Sequence, residues 1–344
     1  MGNSLTIYPK GLTLAEVDGR ITAHAGLPWV HPWQRSPLLK YQLRKTETFT
    51  LAAGEDYPFV VTFDGMHIWV GLNTSPGKII KMNPADGSYV TYTLAAGEDY
   101  AYGITFDGTH IWIALAGDWV TGIVIKMNPA DGSYVTFPVP EGPAWSLAFD
   151  GTHIWVGLDT VPAIILKMNP ADGSYVAYPL AADENYIEAM AFDGTHIWAS
   201  GWMDPAKIIK MDPADGSYVT YTLAAGESIV YGMAFDGTHI WIGTYTSPGK
   251  IIKIDPADGS YVTYTLAAGE NKAEGIAFDG THIWVGLGTA PGKIIKMNPA
   301  DGSYTTYTLA AGENYPLAMA FDGMHIWIEL GTSPGKIVRF TKTG

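Results

Sequence analysis

The heptapeptide Phe-Asp-Gly-(Thr/Met)-His-Ile-Trp occurs seven times in this chain, at a constant interval of 43 residues. The copies begin at Phe63, Phe106, Phe149, Phe192, Phe235, Phe278 and Phe321. A regular repeat of this length indicates one supersecondary unit stacked on copies of itself, because such a unit cannot bury its apolar face alone. The repeat therefore constrains the fold more than any other feature of the sequence.

One repeat unit predicts four short β-strands. Residues 57–63, 67–72, 78–82 and 89–94 are rich in β-branched and aromatic residues, and Asp-Gly and Pro-Gly pairs separate them. Asp-Gly favours tight hairpins because glycine adopts positive φ without steric cost. No window shows the 3.6-residue period of a helix. Seven such units predict an all-β fold, a seven-bladed β-propeller of four-stranded antiparallel blades.

The ends of the repeat array predict how the ring closes. The seventh unit runs out after its third strand, and residues 46–51 resemble the fourth strand of a full unit. An N-terminal strand that completes the last blade would leave no open end. The sequence therefore predicts a propeller over residues 46–344 and a separate, basic, non-repeat segment over residues 1–45.

The repeat resembles a known class of propellers. Phe-Asp-Gly-Thr-His-Ile-Trp-Val-Gly, followed by Lys-Ile-Ile-Lys-Met-Asn-Pro-Ala-Asp-Gly-Ser-Tyr-Val, is similar to the repeats of the NHL, YVTN and streptogramin-lyase-like seven-bladed propellers, over residues 46–344. The resemblance implies the fold, and propellers host many unrelated activities. Streptogramin-lyase-like propellers use a histidine with an acidic neighbour on the top face, the end opposite the Asp-Gly hairpins. Every repeat histidine here belongs to a bottom hairpin, so no catalytic residue is carried over.

Composition excludes several classes of function. The formal net charge is −14, and phosphate binding needs a basic surface, so nucleic acid is not an expected partner. The absence of cysteine excludes disulfides and thiolate-ligated metals. No apolar stretch approaches 18 residues, so membrane insertion is not expected, and the start of the sequence lacks the features of a secretory signal. No motif for a cofactor occurs, so none is expected, and no signal assigns a compartment.

The residues that recur in every unit have a structural explanation. Each hairpin histidine shares a strand face with the Trp two positions later, so we expect both side chains to pack between blades. Equivalent positions also lie far apart in a ring, which argues against a joint metal or catalytic site. These histidines are His67, His110, His153, His196, His239, His282 and His325. The hairpin aspartates form turns, and none has the spacing of a calcium loop.

Function is expected where the copies differ. Variation is concentrated in the loop between the second and third strands and in the loop before the first strand, and both lie at the top. Binding residues are commonly carried on loops that a rigid frame positions. Drift after duplication is the alternative explanation for this variation. The sequence predicts a ligand-binding site formed by Asp118, Trp119, Trp145, Asp159, Tyr186, Glu188, Trp202, Asp204, Tyr231 and Tyr245.

Three functions remain open at this point. The first is a non-catalytic binding module for a carbohydrate or a protein ligand, because aromatic rings with a few carboxylates suit sugars and also dominate protein interfaces. The second is a lyase- or hydrolase-like enzyme that uses Glu188, Glu274 and Lys272 at the mouth of the channel. The third is a structural or assembly protein, in which residues 1–42 dock on the acidic bottom of the propeller or link subunits into a homo-oligomer.

Overall fold

The computed structural model describes residues 5–8, 12–17, 20–25 and 46–341. The chain divides into two compact units, and the boundary falls between Thr46 and Glu47. The first unit contains a three-stranded antiparallel sheet of β1 (Leu5–Tyr8), β2 (Leu12–Val17) and β3 (Arg20–Ala25). The sequence analysis predicted no strands here, because the segment has no second copy against which a pattern stands out. The predicted docking or subunit-linking role of residues 1–42 depends on stretches outside the described residues and stays a prediction.

The second unit consists of seven four-stranded antiparallel sheets arranged as blades, with neighbouring inner strands in contact around a closed ring. The blades are β5 (Pro58–Phe63), β6 (Ile68–Leu72), β7 (Lys78–Met82) and β8 (Tyr89–Thr93); β9 (Ala101–Phe106), β10 (Ile111–Leu115), β11 (Gly122–Met127) and β12 (Tyr134–Val139); β13 (Ala144–Phe149), β14 (Ile154–Leu158), β15 (Ile164–Met168) and β16 (Tyr175–Pro179); β17 (Ile187–Phe192), β18 (Ile197–Gly201), β19 (Lys207–Met211) and β20 (Tyr218–Thr222); β21 (Val230–Phe235), β22 (Ile240–Thr244), β23 (Lys250–Ile254) and β24 (Tyr261–Thr265); β25 (Ala273–Phe278), β26 (Ile283–Leu287), β27 (Lys293–Met297) and β28 (Tyr304–Thr308); and β29 (Pro316–Phe321), β30 (His325–Leu330), β31 (Lys336–Thr341) and β4 (Thr46–Thr50). The predicted seven-bladed propeller is confirmed.

The hydrophobic core lies between blades. The second strand of blade 1, Ile68–Leu72, is buried along its whole length because each of its faces packs against a neighbour. Trp69 is fully buried against Ile111 and Ile113 of blade 2, which confirms that the repeated Trp packs between blades. The outer strands are only partly buried, and Val90 on the rim of blade 1 is exposed. Burial is therefore greatest in the second strand of the blade and decreases from there to the outer strand.

The bottom hairpin anchors this Trp through its aspartate. In blade 5 the indole N–H of Trp241 donates to Asp236 Oδ2 at 2.7 Å, and the other carboxylate oxygen accepts the backbone N–H of His239 at 2.7 Å. The histidines differ from the prediction, because they lie on the bottom rim and not between blades. The side chain of His153 is 35% exposed, since the Trp two positions later already fills the space between the blades.

The N-terminal strand closes the ring as predicted. The sheet order in blade 7 is β29-β30-β31-β4, so the outermost strand comes from the start of the propeller sequence. The backbone N–H of Leu51 donates to Gly335 O at 2.9 Å, and Arg339 pairs with Glu47. Pairing the first and last segments in one blade ties the ends of the ring together.

A glutamate in each top loop ties neighbouring outer strands, a feature that the sequence analysis missed. Glu98 follows blade 1, and its carboxylate accepts Thr136 Oγ1 at 2.7 Å and Tyr134 OH at 2.8 Å, both from blade 2. The same carboxylate caps the backbone N–H of Ala95 at 2.9 Å. Neighbouring blades are thus joined by hydrogen bonds at the top as well as by the packing lower down.

Candidate functional site

The site is built on a β-bulge that recurs near the start of every inner strand. The pairing with the second strand shifts register there, and the bulged residue lines the central channel. A bulge re-aims one side chain without breaking the strand, which explains why these positions vary while the frame does not. The seven bulged residues are Phe59, Tyr102, Trp145, Glu188, Tyr231, Glu274 and Leu317.

The residue before most inner strands is held in the left-handed region of φ. Tyr100 has a φ of 59° and Tyr186 a φ of 53°, values that are uncommon for residues other than glycine. Hydrogen bonds fix this conformation: the N–H of Tyr100 donates to Thr74 O at 3.0 Å, and its carbonyl accepts the N–H of Ala116 at 3.1 Å. The strained residue therefore positions the bulge that follows it.

Together these residues line a cavity of about 470 Å³ at the top of the channel, which we call the channel mouth. One side of it is aromatic. The rings of Tyr102 and Trp145 stack with centroids 3.7 Å apart, and Phe59 meets Tyr102 edge-on at 5.0 Å. We call Phe59, Tyr102 and Trp145 the aromatic wall. Its size and geometry suit a flat apolar face of a ligand.

Trp119 extends the aromatic wall outward to the rim. It lies in the top loop of blade 2, which is two residues longer than its equivalents, and its ring is 5.9 Å from Tyr102 and 6.0 Å from Trp145. The side chain remains 49% exposed, so it is accessible to a ligand. Asp118 has a supporting position, because its Oδ1 accepts the backbone N–H groups of Val120 and Thr121 and so shapes the loop.

Glu188 and Asp159 form an acidic wall beside the aromatic one. Glu188 is 8% exposed, and its Oε2 is buried without a hydrogen-bond partner. Burial, with the nearby charge of Asp159 as a smaller cause, raises the pKa of Glu188 to about 8. Burial also raises the pKa of Asp159. Glu188 is therefore largely protonated at neutral pH.

A second acid, two blades further along the ring, has a basic neighbour. Burial raises the pKa of Glu274 to about 7, and Lys272 opposes that shift. Lys272 Nζ donates to Tyr245 OH at 2.7 Å and lies 4.5 Å from the centre of that ring. Gly288 makes room for this group, because a Cβ there would come within 2.1 Å of Glu274 Oε1. Lys272 is the one basic side chain among the described residues that line the mouth.

The structure brings only part of the predicted site together. Trp145, Glu188, Tyr231 and Tyr245 line the mouth, Trp119 adjoins the aromatic wall, and Asp159 interacts with Glu188. Tyr186 contributes its backbone conformation. Trp202 and Asp204 are exposed on the loop of blade 4 and do not line the mouth.

The predicted site residues did not include three of the bulged residues that line the mouth: Phe59, Tyr102 and Leu317. A signal for them was present. The residue type at the second position after the strained residue varies between the copies of the repeat. The residue at that position is always the bulged one. Neither a metal site nor a membrane span emerges from the described residues. They contain no group of three or more His, Cys, Asp or Glu side chains that could hold a metal ion, and none of their helices could cross a bilayer.

Fold and site together define a seven-bladed β-propeller with a mixed aromatic and acidic channel mouth. No protein-family model matches the chain, and comparison with curated proteins gives no match. The resemblance lies in the solved structures. Virginiamycin B lyase from Staphylococcus aureus superposes with a TM-score of 0.74 at 18% identity, over 87% of this chain and 100% of the lyase. A catalytically inactive histidine variant of that lyase, with quinupristin, gives a TM-score of 0.73 at 18% identity, with the same coverage of both chains.

The propeller domain of a second, differently named protein matches almost as well. The β-propeller domain of Myceliophteria thermophila Cps50 (Swd1) gives a TM-score of 0.67 at 12% identity, over 86% of this chain and 100% of that domain. Identities this low show the shared fold alone. They confirm the predicted resemblance of architecture to streptogramin-lyase-like propellers, and the fold serves both a lyase and a propeller of a different kind.

Proposed function

We propose that this protein is a binding module whose channel mouth holds a carbohydrate. The observation that carries the proposal is the pairing of the stacked Tyr102 and Trp145 rings with the buried carboxyls of Glu188 and Glu274 around one cavity. The C–H face of a sugar ring packs on an aromatic ring, while its hydroxyls exchange hydrogen bonds with acids. A cavity of about 470 Å³ lies within the range of small-ligand sites.

The shape of the site favours a small ligand over a protein surface. The polar groups that could give specificity are buried inside the mouth, where a flat partner would not reach Glu188. A protein ligand would instead use the exposed rim, where Trp119 and Trp202 are both about half exposed. A protein ligand would therefore contact both tryptophans, whereas a small ligand in the mouth would not contact Trp202.

A glycan array followed by calorimetry on the best ligand tests the proposal. We expect Trp145→Ala to weaken binding at least tenfold, about 1.4 kcal/mol, because the aromatic wall loses its central ring. Trp202→Ala is the matched control, since Trp202 is exposed outside the mouth, and it should keep wild-type affinity. No glycan binding by the wild type, or equal loss in both variants, would contradict the proposal.

A lyase- or hydrolase-like activity is the second candidate, and the two mouth carboxyls favour it. Pairs of acids whose pKa values are raised to about 8 and about 7 are suited to proton transfer at neutral pH. An enzyme would turn over the bound ligand, and Glu188→Gln or Glu274→Gln would abolish turnover while binding persisted. Binding without any turnover by the wild type would exclude this candidate. The fold shared with virginiamycin B lyase is compatible with either function.

An assembly role remains the third candidate, and the N-terminal segment decides it. Residues 1–45 carry six basic and two acidic side chains, whereas the rest of the chain is strongly acidic. The oligomeric mass of the full chain and of a chain lacking residues 1–42 can be compared by light scattering. If the segment links subunits, its deletion lowers the mass; an unchanged mass removes this candidate.

A further inference from the structure

The two acids of the channel mouth differ in one respect. Glu274 has a cation beside it, Lys272, whose charge favours the ionised carboxylate. Glu188 has none: the charged group that acts on it is another carboxylate, Asp159. Glu274 is therefore an acid whose charge a neighbouring cation compensates. Glu188 and Asp159 are two acids without such a cation, and we call them the uncompensated pair.

Glu188 is also unsatisfied as a hydrogen-bonding group. Its side chain is more than nine-tenths buried, lines the cavity, and leaves Oε2 without a partner. A buried polar atom without a partner is unfavourable, so an unpartnered carboxyl on a residue that lines a cavity is an attachment point for a donor. Three other titratable groups lie close enough to act on it or be acted on by it: Asp159, Tyr102 and Tyr231. None of them is basic.

Aromatic rings surround this uncompensated pair. Trp145 is the bulged residue of the preceding blade and stacks on Tyr102, and Tyr231 is the bulged residue of the following blade. The pKa values of Tyr102 and Tyr231 are raised, first by burial and then in part by the negative charges of Glu188 and Asp159. Aromatic faces beside carboxylates attract organic cations through both the ring quadrupole and the opposite charge.

We propose that the acidic wall of Glu188 and Asp159, with the faces of Tyr102 and Trp145, binds a protonated amine of the ligand. The ammonium donates to the Glu188 carboxylate, and the carbon skeleton of the ligand lies against the aromatic wall. This inference rests on the proposed carbohydrate-binding function and narrows its ligand to an amine-bearing sugar. A metal ion is a poorer fit, because no cluster of three ligating side chains occurs in the described part of the chain.

The test compares cyclohexylammonium with cyclohexanol, two six-membered rings that differ in the charged group. Calorimetric titration of the full chain at pH 8.5 should show the ammonium binding at least tenfold more tightly than the alcohol. Glu188→Gln should reduce this preference to less than twofold. Asp131→Asn is the control, because it removes one carboxylate from an exposed bottom hairpin and should leave the preference unchanged.

Proton linkage gives a second readout. A primary amine remains protonated well above pH 8, so bound cation should ionise Glu188 and release its proton. Affinity for cyclohexylammonium should therefore rise between pH 6 and 8, by up to tenfold per pH unit, and cyclohexanol affinity should not. The Glu188→Gln variant should lose this slope.

Failure of this inference is distinguishable from failure of the carbohydrate proposal. Equal affinities for the two probes, or a preference that survives Glu188→Gln, would overturn the ammonium site. Neutral glycans that still bind and still require Trp145 would then leave the carbohydrate proposal standing. If neither the probes nor any glycan binds, both are wrong. A thermal melt of Glu188→Gln confirms that the variant is folded.

Discussion

The hydroxyl of Thr48 donates to Glu313 Oε1 at 2.6 Å, joining residues 265 positions apart in the sequence. Thr48 belongs to the N-terminal strand, and Glu313 to the top loop after blade 6. The same bond occurs within the ring, where Thr136 donates to Glu98 at 2.7 Å. The closing strand is therefore held by the same bond between blades that the outer strands of blades 1, 2, 4, 5 and 6 receive.

This equivalence predicts the effect of removing the bond. Glu313→Ala, which removes the acceptor, should lower the free energy of unfolding by about 1.5–3 kcal/mol, the usual contribution of a hydrogen bond to a charged group. A double-mutant cycle with Thr48→Val, measured by denaturant unfolding, should give a coupling energy of about 1 kcal/mol. The Glu98 and Thr136 pair is the matched control and should give a similar value. A coupling near zero for the closing pair alone would show that this hydrogen bond does not hold the N-terminal strand.

Glu329 is a carboxyl buried where the other blades have a small residue. It is fully buried, and neither oxygen has a hydrogen-bond partner. The equivalent residues are Gly71, Ala114, Gly157, Ser200, Gly243 and Gly286. Burial raises the pKa of Glu329 well above its usual range. The folded state therefore binds a proton that the unfolded state releases above about pH 4.5, and Glu329 lowers stability as pH rises.

Glu329→Leu should stabilise the protein, because it replaces an unsatisfied polar group by an apolar one. We expect a gain of about 1–3 kcal/mol at pH 8 and a smaller gain at pH 4.5, where the carboxyl of the unfolded state is about half protonated. Thermal melts at the two pH values measure this. Destabilisation at both pH values would mean that the carboxyl has a partner that the described residues do not provide.

The bottom hairpin should be sensitive to loss of its aspartate. In Asp236→Ala, the indole N–H of the buried Trp241 and the N–H of His239 both lose their acceptor. We predict a loss of about 2–4 kcal/mol, since each unsatisfied buried donor costs about 1–3 kcal/mol. Replacement of the neighbouring imidazole, His239→Asn, serves as the control and should cost under 1 kcal/mol because that side chain lies at the partly exposed rim. Equal costs would show that the histidine shares the structural role.

Opposite pKa shifts at the two ends of the molecule predict the pH of maximum stability. Burial opposes ionisation of Asp279, but hydrogen bonds from Thr281 and Trp284 outweigh it and hold the pKa at about 2. Its contribution is present above about pH 4 and lost as pH falls towards 2. Glu188 and Glu274, with pKa values raised to about 8 and about 7, lower stability as pH rises above about 4.5. The melting temperature should therefore be highest near pH 5. A maximum near pH 8 would contradict these signs.

The fold was predictable from the sequence because the same pattern of strands and turns occurs in seven copies. Period, hairpin residues and the incomplete last unit together define blades, strand number and closure. Two features were not predictable in this way. The sequence analysis placed the histidine between blades because it began the second strand at residue 67. In the structure that strand of blade 1 begins at Ile68, and the alternation of residues along a strand does not show where the strand begins. The glutamate of the top loop was missed because its partners lie 36–38 residues away, in the next blade.

The site was predictable only in outline. The variable top loops indicated the end of the molecule where the channel mouth lies, and Trp145, Glu188, Tyr231 and Tyr245 line that mouth. Which varied residue faces the channel depends on the bulge, and a bulge leaves no mark in composition or periodicity. Trp202 therefore looked equivalent to Trp145 in the sequence, yet it is exposed away from the mouth. The raised pKa of Glu188 arises from burial, which a sequence does not record.

A crystal structure of the protein soaked with its best glycan from the array tests the central claim most directly. The account predicts density for a sugar ring packed against the aromatic wall, with a polar group of the ligand within hydrogen-bond distance of the Glu188 carboxyl. Density on the bottom hairpins beside the repeated histidines, or on the outer rim with the channel mouth empty, would contradict it.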